Sequence, residues 1–279
     1  LMPIPAFALS CGDTVTADVR LTADLHCTTG LAALHVRTSG VTIDLNGHTL
    51  SGSPRIPGIH IYDASNVTIV GPGRIRGFSI GVYGMRSHEL KVIGIDFEDI
   101  VAGASISHSL KNTFVGNTFA RTDSVALAFF DNSTVEPRRG LYRHNVAENT
   151  FTDVFGGVLL CGVETGGSVI ANNAFSRTNE FAIHLRESSD YNTIRSNVIA
   201  DAGASGILLR TSSLNTIEDN RIETGNVGIL IHAGFGSCNR PPTAPAAHSN
   251  MMVKNAIRGQ VVGNGAIHPG ATEVCNGVD

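Results

Sequence analysis

Apolar and polar residues alternate through residues 181–234 in two phrases that take turns along the chain. One phrase is a short apolar stretch ending in polar residues, as in AIHLRES, GILLRTS and GILIHAG. The other is an Asn-Thr-Ile phrase followed by a second asparagine, as in NTIRSNVI and NTIEDNRI. Ile183, Ile207 and Ile229 mark the first phrase at spacings of 24 and 22 residues. A nearly constant period of this size indicates stacked supersecondary units.

The same phrases extend over most of the chain, and most steps between them are 22–25 residues. Within each repeat, apolar and polar residues alternate with period two over four to six residues, which predicts short strands. No stretch has a convincing period of 3.6 residues, so helices between the strands are disfavoured. Strands repeating about every 22 residues predict a parallel β-helix, since a propeller blade needs a period of about 40. Longer steps from Asn117 to Asn149 and from Asn220 to Asn255 predict loop insertions.

One asparagine recurs at the same point of successive repeats and predicts an internal ladder. An asparagine at a tight bend tolerates the left-handed backbone conformation, and its amide can bond the equivalent residue one coil away. The role we expect for these residues is therefore structural. The members of the predicted ladder are Asn117, Asn149, Asn173, Asn197, Asn220 and Asn255.

The phrases VTIDLNGHTLSG, NTFVGNTF and NTIEDNRI resemble the right-handed parallel β-helix repeats of the pectin-lyase-like superfamily. They are especially similar to the bacterial exported repeat proteins that include the nitrous-oxide-reductase maturation β-helix. The resemblance covers roughly residues 30–260 and implies an all-β, single-stranded right-handed solenoid of about nine coils with capped ends. It implies no single activity, because the superfamily contains lyases, hydrolases, epimerases, adhesins and binding proteins.

The predicted solenoid is flanked by two end segments. Residues 1–10 are expected to be the remnant of an export signal or a disordered N-terminus, because Ala6-Phe7-Ala8 fits the pattern before a signal-peptidase cut. Residues 11–38 are predicted to form an N-terminal cap or opening hairpin. Residues 39–260 would form the β-helix, and residues 261–279 a C-terminal cap or tail.

Composition and charge indicate which cellular compartment and which classes of partner suit the protein. A net charge of −4 and a pI near 6.3 argue against a nucleic-acid surface, and no apolar run approaches the roughly 20 residues of a membrane span. We expect a secreted or periplasmic monomer with no nucleic-acid or membrane partner. The five cysteines suit an oxidising compartment. They predict local pairs Cys11–Cys27 and Cys238–Cys275 and leave Cys161 over.

Candidate chemistry lies on the outward face of the first strand of each repeat. Alternate residues of a strand point into the core and out to solvent, so stacked coils align outward residues into columns about 4.8 Å apart per coil. Related superfamily proteins usually carry their active site in such a column. The residues predicted to point inward are Ile59, Ile61, Ile80, Val82, Ile106, Leu127, Phe129, Val158, Leu160, Ile183, Leu185, Ile207, Leu209, Ile229 and Ile231.

The outward residues predict a binding groove for an acidic polysaccharide, with β-elimination of a polyuronate as its chemistry. Arg186 and Arg210 on adjacent coils can clamp a carboxylate and so acidify the C5 proton, which His184 could remove near neutral pH. These three residues are the predicted catalytic group. Tyr62 and Tyr83 are expected to stack on a sugar or donate a proton. The full set of predicted substrate-binding residues is Tyr62, Tyr83, Phe130, Asp131, Cys161, Glu164 and His232.

Other interpretations stay open at this point. The polar column could be a solvated surface with Arg186 paired to Glu164 or Glu187. A hydrolase needs two flanking carboxylates, which Asp131 and Glu164 could supply, but the polygalacturonase motifs NTD, DD, GHG and RIK are absent. The alternatives to a lyase are a non-catalytic ligand- or metal-binding β-helix and a small-molecule cyclase or isomerase acting in the same groove.

Metal binding is not part of the main hypothesis. No metal ligands or cofactors are predicted, and calcium has no clear site in the sequence. Only Cys161 and His184, on adjacent coils, could share a soft ion such as copper.

Overall fold

The protein is an all-β solenoid in which every strand pairs in parallel with the equivalent strand of the next coil. The computed structural model describes residues 9–130, 143–162, 165–232 and 249–263. About nine turns stack as predicted, and the predicted right-handed parallel β-helix is confirmed. No helix among the described residues is long and apolar enough to cross a membrane.

The strands range from two to 13 residues in length. Their bounds are β1 Asp13–Val15, β2 Val19–Arg20, β3 Leu25–Cys27, β4 Leu34–Val36, β5 Thr42–Asp44, β6 Thr49–Gly52, β7 Ile59–Tyr62, β8 Thr68–Arg76, β9 Ile80–Met85, β10 Lys91–Ile100, β11 Ala102–Ser107, β12 Thr113–Val115, β13 Thr118–Phe130, β14 Asn145–Ala147, β15 Thr150–Cys161, β16 Val169–Ala171, β17 Ala174–Arg186, β18 Thr193–Arg195, β19 Val198–Ala202, β20 Ser205–Arg210, β21 Thr216–Glu218, β22 Arg221–His232, β23 Met251–Val253 and β24 Ala256–Gly263.

The chain enters the solenoid earlier than predicted. Strands β1, β2 and β3 pair in parallel with β4, β5 and β6, so residues 13–27 already form a coil rather than a hairpin. Of the two forms predicted for residues 11–38, a cap or a hairpin, the parallel pairing contradicts only the hairpin. The predicted Cys11–Cys27 disulfide is present and closes this first coil.

A continuous apolar core fills the inside of the coils. The residues predicted to point inward lie in it with one exception: Ile80 is half-buried because the strand register aligns Val82 with Ile59 and Gly84 with Ile61. Four phenylalanines on consecutive coils stack along the axis, with ring centroids 4.8, 4.8 and 4.6 Å apart. Such stacking adds stabilisation beyond the burial of apolar area. The stack consists of Phe97, Phe119, Phe151 and Phe175.

The predicted asparagine ladder is confirmed. In each step, the backbone N–H and the side-chain Nδ2 of one asparagine donate to Oδ1 of the next, as from Asn149 to Asn173 at 2.9 and 3.0 Å. The ladder residues themselves do not have positive φ, contrary to our expectation. The left-handed position is the residue just before each asparagine, namely Gly116, Glu148, Asn172, Ser196, Asp219 and Lys254.

A second buried polar ladder, which the sequence analysis missed, runs along another corner. The backbone N–H of Asn112 donates to Nδ1 of His144, and that of His144 donates to Oγ of Ser168, at 3.2 and 3.0 Å. The ladder continues through Asn192 and Asn215 to Asn250. Burial lowers the pKa of His144 to about 3, so the ring is neutral and its Nδ1 can accept the bond.

Candidate ligand-binding face

Two columns of outward side chains run along one face of the solenoid, as the alternation predicted. We call this surface the ladder face. The first ladder follows the strand register through His35, His60, Tyr83, Ser105, Ala128, Leu159, His184, Leu208 and Leu230. The second ladder follows it through Tyr62, Met85, Ser107, Phe130, Cys161, Arg186, Arg210 and His232. The predicted catalytic residues therefore do lie on adjacent coils.

At the N-terminal end, the ladder face carries an aromatic patch that we define as His35, Arg37, His60, Tyr62 and Tyr83. The rings of His60 and Tyr83 stack with centroids 5.0 Å apart and an interplanar angle of 18°. The ring of His35 lies 6.1 Å from that of His60. All three rings are half-buried, so the patch is partly exposed to solvent.

Two arginines approach Tyr62 in this patch. The guanidinium carbon of Arg86 lies 4.4 Å from the ring centroid and that of Arg37 lies 5.6 Å from it. Arg86 also binds the Asp63 carboxylate through Nε and a terminal nitrogen at 2.5 and 2.9 Å, and it donates to the Tyr62 hydroxyl. The hydrogen bond from Arg86 lowers the pKa of Asp63. Burial first, and then electrostatic interaction with His35 and Arg37, lowers the pKa of His60.

In the middle of the ladder face, the outward residues are buried instead of exposed. Ala128 and Leu159 retain 4% and 6% exposure and Cys161 none, and they form an apolar cluster with Phe181 that is separate from the main core. Val125 and Phe130 pack against this cluster. We call it the covered cluster. The prediction that Leu159 and Cys161 line an open groove is therefore wrong.

The C-terminal end of the ladder face carries the predicted catalytic group. Arg186 and Arg210 are register partners on adjacent strands, and both are half-buried. Arg186 lies 3.4 Å from the carboxylate of Glu187. This is one of the two pairings expected if the polar column is a solvated surface. His184 is only 5% exposed, and the edge of the Phe181 ring contacts it. A base on the open surface was expected at His184, and its burial contradicts that expectation.

Three predicted site residues cannot be placed. Asp131 and Glu164 lie outside the described residues, and of His232 only the backbone is described, as the register partner of Arg210. The cyclase interpretation used Phe130, Leu159 and Leu208 as an apolar groove. Leu159 and Leu208 retain only 6% and 9% exposure, so they offer little open surface to a small molecule.

The structure corrects the prediction for the unpaired cysteine. Cys161 is disulfide-bonded, to a partner outside the described residues. The predicted Cys238–Cys275 pair also falls outside them.

Residues 80–265 match the family described as periplasmic copper-binding protein (NosD). The chain belongs to the NosD family. The matched region spans the ladder face from Tyr83 onward, so the aromatic patch lies largely before it. The family description places its members in the periplasm, which confirms the predicted export. No curated protein sequence matches the chain.

Solved structures with the same fold are distant in sequence from this NosD-family chain. An alginate lyase from Paenibacillus sp. str. FPU-7 is 13% identical with a TM-score of 0.55, covering 88% of this chain and 91% of its own. A mannuronic acid specific polysaccharide family 6 lyase from human gut microbiota is 12% identical with a TM-score of 0.55, covering 91% and 70%. The tailspike protein 3 of bacteriophage CBA120 is 10% identical with a TM-score of 0.59, covering 94% and 53%. These similarities establish the fold.

The copper of the NosD family description does not fit the donors that the structure describes. Copper favours imidazole, thiolate and thioether ligands. Within the described ranges, no group of three or more His, Cys, Asp or Glu residues could hold a metal ion. The sulfur of Cys161, the predicted soft ligand beside His184, is bonded in a disulfide and is no thiolate. We therefore derive no step through copper from these residues.

Sequence reasoning missed His35, His60 and Arg37 as parts of a site. His35 lies in the apolar phrase LHV, and the strand register aligns it with His60 one coil later. A signal was present, because two histidines and a tyrosine occupy equivalent positions of three consecutive repeats. The apolar periodicity of the strands, however, predicts only the core residues on either side of these three positions.

Proposed function

We propose that the protein binds an acidic polysaccharide of the polyuronate class along the ladder face. The observation that carries the proposal is that one face holds both an in-register arginine pair, Arg186 and Arg210, and an open group of aromatic rings around Tyr62 and Tyr83. Guanidinium groups bind carboxylates through paired hydrogen bonds, and aromatic rings offer apolar surface to sugar rings. A polyuronate presents carboxylates and sugar rings in alternation along one chain.

The separation of the two groups favours a polymer over a small molecule. From Tyr62 to Arg186 the second ladder advances by roughly five coil spacings, or about 24 Å. The covered cluster lies between them. A ligand that contacts both ends must therefore be an extended chain. The proteins of this fold that are named as alginate and mannuronic-acid lyases act on acidic polysaccharides, which is the same ligand chemistry.

β-Elimination is the more specific activity to be tested at the arginine pair. Arg186 and Arg210 would neutralise the uronate carboxylate, and His184 would take the C5 proton. The C4–O bond then breaks, a C4–C5 double bond forms, and the leaving oxygen takes a proton from solvent. Tyr83 lies four coil steps from His184 along the first ladder, so it cannot be the acid at the same bond. Since His184 is 5% exposed, we propose binding as the function and elimination as an additional outcome of the same assay.

The proposal is tested by calorimetric titration with alginate, polygalacturonate and neutral dextran. Absorbance of the unsaturated sugar is followed in parallel. We expect the two polyuronates to bind and dextran not to bind. Arg186→Ala and Arg210→Ala should each weaken polyuronate binding at least tenfold, and Arg186→Lys should retain more of it. The matched control is Arg195→Ala, which removes an exposed arginine from a different side of the coil.

Two outcomes would contradict parts of this proposal. Absence of binding to every polyuronate, or equal losses in Arg195→Ala and Arg186→Ala, would refute binding at the arginine pair. Binding without any rise in absorbance would refute elimination on those polymers and leave the binding proposal standing.

A further inference from the structure

The aromatic patch has the components of an anion-binding sugar site in its own right. Of the two arginines at Tyr62, Arg86 is already engaged by both carboxylate oxygens of Asp63. Arg37 is exposed and forms no ion pair with any carboxylate that the structure describes. Its guanidinium, 5.6 Å from the Tyr62 ring, is therefore available to an external carboxylate.

His60 adds a polar atom that lacks a partner. Its Nε2 is buried, and no hydrogen-bond partner for it exists among the described residues. A buried polar nitrogen of this kind is costly unless water or a ligand satisfies it. Burial, and then electrostatic interaction with the neighbouring His35 and Arg37, also lowers the pKa of His60, which favours the neutral imidazole, a ring that can bond a hydroxyl group.

Among the described residues of the two ladders, only small side chains follow Tyr83 on the next coil. His60 stacks on one side of the Tyr83 ring, and the next residue of the first ladder is Ser105. The parallel residue of the second ladder is Ser107, which follows Met85. A serine side chain is too short to cover an aromatic ring across a coil spacing of about 4.8 Å. The far face of Tyr83 thus remains available for stacking against a sugar ring.

From these three features we infer that the aromatic patch is a self-contained subsite for a short acidic oligosaccharide. Arg37 binds a carboxylate and Tyr83 stacks on a sugar ring. Nε2 of His60, which is buried in this structure, bonds a hydroxyl group once the imidazole ring turns toward the ligand. The strand that carries Tyr83 is two coils beyond the one that precedes Arg37, about 10 Å along the solenoid, so a ligand that contacts both has more than one ring. The class of ligand rests on the proposed function.

The covered cluster makes this subsite independent of the arginine pair. Ala128 and Leu159 interrupt the open surface of the first ladder, and Cys161 interrupts that of the second. An oligosaccharide short enough to fit the aromatic patch does not reach Arg186. Loss of Arg37 should therefore affect short ligands, whereas loss of Arg186 should affect only long ones.

The test uses a uronic acid trisaccharide as the probe and neutral maltotriose as its uncharged counterpart. The protein has no tryptophan and four tyrosines, so tyrosine fluorescence can report binding beside Tyr62 and Tyr83. We expect the trisaccharide to bind with a fluorescence change, and Arg37→Ala to weaken it at least tenfold. Arg186→Ala and the exposed-arginine control Arg55→Ala should leave its affinity unchanged within twofold.

Opposite results separate this inference from the proposed function. A trisaccharide whose binding depends on Arg186 and not on Arg37 would overturn the subsite while the proposed function stands. The same holds if polyuronates bind and the trisaccharide does not. Binding of the trisaccharide through Arg37, with polymer binding unaffected by Arg186→Ala, would confirm the subsite and refute a role of the arginine pair. Equal binding of maltotriose would overturn the role of Arg37.

Discussion

The imidazole of His144 stacks on the phenyl ring of Phe129, with ring centroids 4.2 Å apart and an interplanar angle of 24°. The same ring accepts the backbone hydrogen bond of Asn112, a task that asparagine side chains perform at other coils of this ladder. Histidine here combines two functions in one side chain. Its flat face packs against the core, and its unprotonated nitrogen continues the polar ladder.

This arrangement predicts a pH-dependent stability that one substitution removes. The pKa of His144 is about 3 in the folded protein, against an ordinary value of 6.5 in the unfolded chain. Below pH 6.5 the imidazole of His144 therefore binds a proton in the unfolded state but not in the folded state, and the free energy of unfolding falls as the pH falls. Between pH 7 and pH 5 we expect a loss of about 2 kcal/mol from this residue. Urea denaturation at the two pH values measures it.

His144→Asn is the informative variant for that prediction. Asparagine supplies an acceptor for Asn112, as Asn215 does for Asn192, and does not titrate in this range. The variant should lose less stability between pH 7 and pH 5 than the wild type. An identical pH dependence in both proteins would contradict the assignment to His144.

The asparagine ladder predicts large costs for single substitutions in its interior. Asn173→Ala removes the oxygen to which the buried backbone N–H and Nδ2 of Asn149 both donate. Nδ2 keeps its second bond, to the carbonyl of Phe114, whereas the N–H loses its acceptor. Each buried group left unsatisfied costs about 1–3 kcal/mol. We expect the free energy of unfolding to fall by about 2 kcal/mol or more. Asn179→Ala, at an exposed position of the same coil, should change it little.

The ion pairs at one corner predict a contrasting result. Arg177 binds Asp153 at 2.6 Å, and the side chains keep 57% and 47% of their exposure. Exposed pairs contribute little and are screened by salt. Arg177→Ala should therefore destabilise the protein less than Asn173→Ala, and 1 M NaCl should remove the difference from the wild type. A salt-insensitive loss as large as that of Asn173→Ala would disagree with this expectation.

Tyr83 predicts an effect on ligand binding without an effect on folding. Tyr83→Ala removes the ring that stacks on His60, together with the face proposed to contact sugar. We expect affinity for the uronic acid trisaccharide to fall about fivefold, in line with the roughly 1 kcal/mol of an aromatic stacking contact. Tyr191→Ala, which removes a 53% exposed tyrosine elsewhere, should leave it unchanged. Calorimetric titration compares the two variants, and circular dichroism checks that both are folded.

The fold could be predicted from the sequence because it depends on a local pattern that every repeat contains. Alternation along each strand determines whether Ile183 points in and His184 points out, and a constant period aligns the coils. The alternation does not predict which other parts of the protein cover the outward-facing side chains. Leu159, Cys161 and His184 point away from the main core as predicted, yet they are buried in contacts that no strand pattern encodes. Conversely, the open ring face of Tyr83 depends on the small residues Ser105 and Ser107 one coil further along, which the sequence around Tyr83 does not reveal.

A chain built of equivalent coils could, in principle, stack the wrong coil against the right one. The asparagine ladder does nothing to prevent such an error, because its members are interchangeable. The unlike residues distinguish one coil from another. His144 lies between Asn112 and Ser168 in the polar ladder and stacks on Phe129, and the phenylalanine stack ends where Phe175 pairs with Ile199. These departures from the repeat favour the correct stacking order of the coils that contain them.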